Sequence, residues 1–158
     1  MDDLTFSASI TVARSADDLY DLVADVTNMG DWSPICKACW WEEEPGGPAV
    51  GAFFRGRNVT PERTWETRSE VVAAERGREF AFEVTTSRVR WGYTFRALGD
   101  GPDAGTELTE RWDFPGSAFA FFQERYGDQA QAQIEERTRA AHEGIPETLA
   151  AIKAAAEK

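Results

Sequence analysis

Residues 88–97 read RVRWGYTFRA, and the spelling alternates. Val89, Trp91, Tyr93, Phe95 and Ala97 fall on one side; Arg88, Arg90, Thr94 and Arg96 fall on the other, with Gly92 among them. Alternation of this kind marks a strand with one apolar face and one wet face. The preceding stretch repeats it, with Phe80, Phe82 and Val84 set against Ala81, Glu83 and Thr85. So does TELTERWDF at 106–114, except that Glu110 shares a side with Leu108, Trp112 and Phe114. One sheet face is therefore apolar and strongly aromatic, and it holds a carboxylate.

Working outward, strands are predicted at 4–12, 36–44, 51–59, 64–75, 78–86, 88–98 and 105–115, divided by turn material such as EPGGPAVG, TPER, RGR and GDGPDAG. Connections this short favour antiparallel neighbours, because a parallel crossover needs roughly a dozen residues. Two short helical pieces follow the first strand. In SADDLYDLVADV, Ser15 can cap, Asp17 and Asp18 suit the positive end of the helix dipole, and Leu19, Leu22, Val23 and Val26 form a stripe. TNMGDWSP then gives a helical turn ended by Pro34.

Past Pro115 the period becomes helical. SAFAFFQERY groups Ala118, Phe119, Phe122 and Tyr126, and Asp128 with Gln131 resembles a capping box opening a helix to about residue 156. Ile134, Thr138, Ala141, Ile145, Leu149 and Ile152 line its buried side, and Gly144 with Pro146 predicts a kink. Such a helix is roughly 40 Å long at 1.5 Å per residue. It is the one element large enough to cover a seven-stranded sheet, and strong twist lets the sheet curl around it.

Composition narrows the classes. At 158 residues the chain reads as one domain, 1–158, able to bury a real core. No apolar run approaches the roughly 20 residues of a membrane span. The N-terminal MDDLTFSASI carries aspartates where a secretion signal would carry positive charge, so a cytoplasmic location is expected. A formal net charge of −11 repels both nucleic acid and anionic membrane. Cys36 and Cys39, in CKACWW, are the only cysteines, and His142 is the only histidine. A zinc set cannot be completed from these residues, and alternation sends sulfurs three residues apart to opposite faces. The pair is read as two ordinary thiols, and no metal or cofactor is expected.

The layout, with DVTNMGDWSP, CWW, VGAFFRGRN, TWETRSEVVAAE, GREFAFEV, RWGYTFRA, GTELTERWDF and AHEGIPETLAAIK, resembles the START-like, or SRPBCC, helix-grip superfamily. The group it is most similar to is the actinobacterial one filed under polyketide cyclase/dehydrase and lipid transport. The resemblance implies an α+β helix-grip fold with a deep, largely apolar pocket between sheet and long helix. Members use that pocket for lipids, sterols, hormones or polyketides. It supplies no catalytic motif, so function rests on the inward-facing residues.

Glu110 leads them. Burial would raise its pKa and make it a proton shuttle; a bulge or an arginine partner would make it structural. Asn58 shares the inner side with Phe54 and Gly56, where the glycine leaves room for a ligand or the long helix; Asn58 could equally close its own turn. Thr67 and Ser69 add small hydroxyls to an apolar wall. Trp91 and Tyr93 can stack on or hydrogen-bond a ligand, or pack as core. Phe82 and Trp112 extend the aromatic wall. Phe119, Phe121 and Phe122 form a lid or a packed short helix. His142 borders the helix stripe and could work with Glu110 or simply pack. Glu42, Glu43 and Glu44 read as a solvated loop end.

These residues support a binder of a hydrophobic or aromatic small molecule. A metal-independent polyketide cyclase or dehydratase using Glu110 is the alternative, with Tyr93 or Asn58 polarising a carbonyl. An acidic protein-interaction module is the third reading.

Overall fold

A computed structural model of the chain describes residues 3–43, 46–101 and 103–158. Strand β1 (Leu4–Val12) leads into helix α1 (Ala16–Val23) and a 3-10 helix (Val26–Asp31). Six strands follow: β2 (Cys36–Trp41), β3 (Phe53–Thr60), β4 (Arg63–Glu75), β5 (Glu79–Val84), β6 (Arg90–Ala97) and β7 (Thr106–Phe114). Helix α2 (Gly116–Tyr126) and helix α3 (Ala130–Ala156) complete the chain. The strands form one antiparallel seven-stranded sheet in the order β1-β7-β6-β5-β4-β3-β2. Neighbours from β2 to β7 are consecutive in sequence, as short turns require. β1 closes the far edge beside β7.

Helix α3 lies on β1 and β7, burying Ile134, Ala141, Ile145, Leu149 and Ile152. Its C-terminal end is tied to the end of β1. Lys153 Nζ donates to the Thr11 carbonyl at 2.8 Å, the Ala13 N–H donates to Glu157 at 2.8 Å, and Arg14 donates to the Ala156 carbonyl at 2.9 Å. The helix continues through Gly144 and Pro146 as one element. The Ser15 cap forms as expected, accepting from the Asp18 N–H at 3.2 Å. The expected Asp128–Gln131 capping box does not: Asp128 sits in a separate 3-10 turn, and Gln131 donates instead to Glu135 at 3.1 Å.

Local chemistry shifts other expectations. Strand β6 begins at Arg90, because Arg88 occupies the left-handed region (φ 62°) in the tight turn after β5, where it pairs with Glu70 at 3.0 Å. Ala97 is exposed where β6 runs out into its turn. Ala81, outward by alternation, is fully buried opposite Gly92, bracketed by the Arg90–Glu79 ion pair at 3.2 Å. β2 ends at Trp41, and Glu42 is no free loop end: Arg68 and Arg55 bind it at 2.7 and 3.0 Å. Glu44 lies outside the described residues.

The largest correction is at the cysteines. A register shift between Cys36 and Ala38 inserts an extra residue into β2, so Cys36 and Cys39 face the same side rather than opposite ones. Their sulfurs lie 3.0 Å apart, both buried. Gly56 on β3 is the residue beneath them: a Cβ there would meet both sulfurs at 3.2 Å. The space the glycine provides is filled by the thiols.

Candidate functional site

Strand register lays the concave face out in rows. One row runs Phe6, Trp112, Trp91, Phe82 and Val71 across β1, β7, β6, β5 and β4. The next runs Ala8, Glu110, Tyr93 and Phe80. Glu110 thus keeps the strand's register, with no bulge, and is 4% exposed among large apolar side chains. Burial pushes its pKa up to about 8, a rise that hydrogen bonding to the Tyr93 hydroxyl partly offsets. One carboxyl oxygen, Oε1, is buried and has no hydrogen-bond partner. No arginine or lysine pairs with this carboxyl among the described residues. At neutral pH such a group is mostly protonated, able to donate a hydrogen bond, with an ionised minority able to accept a proton.

Tyr93 is buried, and desolvation, followed by the nearby Glu110, raises its own pKa well above the usual phenol value. The Cys36 and Cys39 thiols also act on it electrostatically. β2 and β6 stand four places apart in the sheet order, so this proximity comes from the curl of the sheet. Hydrogen bonding from Cys39 lowers the Cys36 pKa, and the same bond together with burial raises that of Cys39. The Met29 sulfur lies 3.7 Å from Cys39. Among the described residues no group of three or more His, Cys, Asp or Glu is placed to hold a metal ion.

Asn58 and Thr67 come together across β3 and β4. The Asn58 amide donates to Thr67 Oγ1 at 3.3 Å and to the Trp65 carbonyl at 3.5 Å, so it serves the strand pair rather than its own turn. Ser69 is buried one step along the same face. Trp112 and Phe82 are buried and Trp91 is half-buried. Phe122 on α2 packs on Phe114 with ring centres 5.2 Å apart, while Phe119 meets the same ring at 5.0 Å. His142 stands apart. It is exposed and stacks on Phe6 at 4.2 Å, and no hydrogen bond joins it to Glu110.

His142, Leu4, Phe119, Ile134 and Thr138 line an open hollow of about 700 Å³ where β1, α2 and α3 meet. Glu110 and Tyr93 do not line it, whereas Phe119 does and packs on Phe114 of the inner wall. Two arginines also escaped the sequence reading. By register Arg63 shares the concave side with Trp65, Thr67 and Ser69, and its guanidinium lies 4.0 Å from the Trp65 ring centre. Arg137 of α3 approaches the same ring at 5.5 Å. Arg63 could have been found by extending the β4 alternation one step back; Arg137 depends on how α3 crosses the sheet.

The comparisons agree with this architecture. A polyketide-cyclase-like protein from Corynebacterium glutamicum, solved in solution, is 49% identical, with a TM-score of 0.68 over 96% of this chain and 90% of that one. A START superfamily protein from Mycobacterium smegmatis is 17% identical, with a TM-score of 0.68 over 97% of each chain. A di-domain aromatase/cyclase from the steffimycin biosynthetic pathway is 20% identical, with a TM-score of 0.69 over 98% of this chain and 51% of that one. These last two show the fold alone. No curated protein matches. The family model described as polyketide cyclase/dehydrase and lipid transport matches residues 3–155, and with the 49% relative it places the chain in that START-like family.

Proposed function

We propose that this chain is a single-domain cytoplasmic protein that binds a lipid- or polyketide-like small molecule against the concave face beneath α3. Glu110 and Tyr93 address a polar group of that ligand, such as a carbonyl. The observation that carries the reading is Glu110 Oε1, a buried carboxyl oxygen without a partner on an otherwise aromatic wall. An unpaired buried polar atom costs about 1–3 kcal/mol, and a ligand that hydrogen-bonds it recovers part of that. The ligand enters through the hollow beside α2, whose Phe119 lines the hollow and whose Phe122 packs next to the inner wall. The test compares 2-acetylnaphthalene with 2-isopropenylnaphthalene, in which a methylene replaces the carbonyl oxygen at matched shape, by quenching of tryptophan fluorescence. The ketone should bind about tenfold tighter, a hydrogen bond's worth. Equal affinities would remove Glu110 from recognition, and no binding of either would defeat the reading.

A second reading, catalysis, is favoured by the raised Glu110 pKa of about 8. The ionised carboxylate takes a proton from the carbon beside a bound ketone while Tyr93 donates a hydrogen bond to the oxygen. The protonated acid then delivers that proton to a departing hydroxyl, which leaves as water. Glu110→Gln should slow turnover of a cyclising or dehydrating substrate at least about tenfold; unchanged turnover would exclude the step.

A further inference from the structure

Most arginines of the sheet's outer face have acidic partners. Arg68 meets Glu42 at 2.7 Å, Arg96 meets Glu107 at 3.2 Å, and Arg111 meets Asp113 at 2.9 Å. Arg63 and Arg137 differ. In a chain with 28 acidic side chains, Arg63 makes no ion pair among the described residues, and its buried Nη2 has no hydrogen-bond partner. Arg137 meets only the neighbouring Glu136, at 3.6 Å, and otherwise donates to Gln133 at 3.1 Å and Tyr126 at 3.4 Å. Desolvation and the like charge of Arg63 lower the Arg137 pKa. Two partly buried cations held on one indole, short of counter-charge, leave planar donor forks that suit an oxyanion.

Position ties the pair to the concave face. Arg63 opens the inner row that continues through Trp65, Thr67 and Ser69. Arg137 lies 5.6 Å from the Phe122 ring, and Phe122 packs on Phe114 of the inner wall. We propose that Arg63 and Arg137 form an anion-recognition subsite for the head group of an amphipathic ligand, a carboxylate or a phosphate ester, whose apolar body lies along the aromatic wall. This rests on the binding reading above and adds a charge requirement to it. Tyr126 and Trp65 frame the subsite, which lies apart from the lining of the open hollow.

The test measures affinities of dodecanoate, dodecyl phosphate and dodecanol for the full chain at neutral pH, below their micelle concentrations. At least one anion should bind about tenfold or more tighter than the alcohol, as expected for charge-assisted hydrogen bonds. Added salt should weaken the anion and leave the alcohol unchanged. Which anion binds tighter identifies the head group. In Arg63→Gln/Arg137→Gln the preference should fall towards one while dodecanol affinity stays the same. The single variants should each lose part of it, and serve should the double variant not fold. Alcohol and anions binding alike, or a preference surviving both substitutions, overturns the subsite while leaving the binding reading intact. No binding of any of the three overturns both.

Discussion

Three carboxylates of β7 have opposite surroundings. Glu107 and Asp113 point to the outer side, where Arg96 and Arg111 lie 3.2 and 2.9 Å away. Glu110, between them on the inner side, has leucine and tryptophan as strand neighbours and a tyrosine hydroxyl as its hydrogen-bonding companion. On the wet face an ion pair contributes about 0–1 kcal/mol, because water already solvates both charges. On the dry face the same chemical group loses that solvent, and burial raises its pKa instead of a cation lowering it. Identical side chains on one strand thus differ in role through parity alone.

The comparison breaks most visibly if the dry wall is removed. Trp112→Ala should cost about 3–5 kcal/mol of unfolding free energy, since Trp112 is almost fully buried in the centre of the wall. Urea denaturation reads the loss, and a loss below 1 kcal/mol would mean the wall is not close-packed.

A smaller effect follows from pH. Unfolded, Glu110 releases its proton near the ordinary value of 4.5; folded, it holds the proton to about pH 8. Below the first value both states are protonated and nothing changes. Between the two the unfolded state binds fewer protons, so stability falls as pH rises, by about 1.4 kcal/mol per unit at most, and it levels off above. Glu110→Gln should flatten this decline in thermal melts from pH 5 to pH 8. A wild-type curve as flat as the variant's would place the carboxyl in water.

Gly56 sharpens the contrast at the other end of the sheet. Gly56→Ala drives a methyl to within 3.2 Å of the Cys36 and Cys39 sulfurs, tighter than ordinary contact, and should cost about 1–2 kcal/mol by overpacking. Chemical denaturation checks this; full tolerance would mean the thiols do not meet there. The least effect belongs to the outer face: Asp113→Asn should change stability by less than about 1 kcal/mol.

How much of this was legible follows the same division. Alternation in 88–97 and 106–114 placed Tyr93, Trp112 and Glu110 on one face, and the structure keeps them there. Alternation failed where the backbone departs from regular pairing. The bulge in β2 turned Cys36 and Cys39 to one side, and the left-handed turn at Arg88 moved the start of β6. Contacts between distant elements were least legible. That His142 stacks on Phe6 and that Arg137 reaches Trp65 depend on where α3 crosses the sheet, which periodicity along one helix does not encode. The Asp128–Gln131 spacing suggested a cap, but a 3-10 turn takes Asp128 and leaves Gln131 inside α3.

The most direct test of the Glu110 assignment is a carbon-13 NMR titration of the glutamate side-chain carboxyls. One glutamate should titrate near pH 8, several units above the rest, and its signal should vanish in Glu110→Gln. If every glutamate instead titrates in the ordinary range around 4.5, Glu110 is solvated, and both the recognition and the catalytic readings lose their central group.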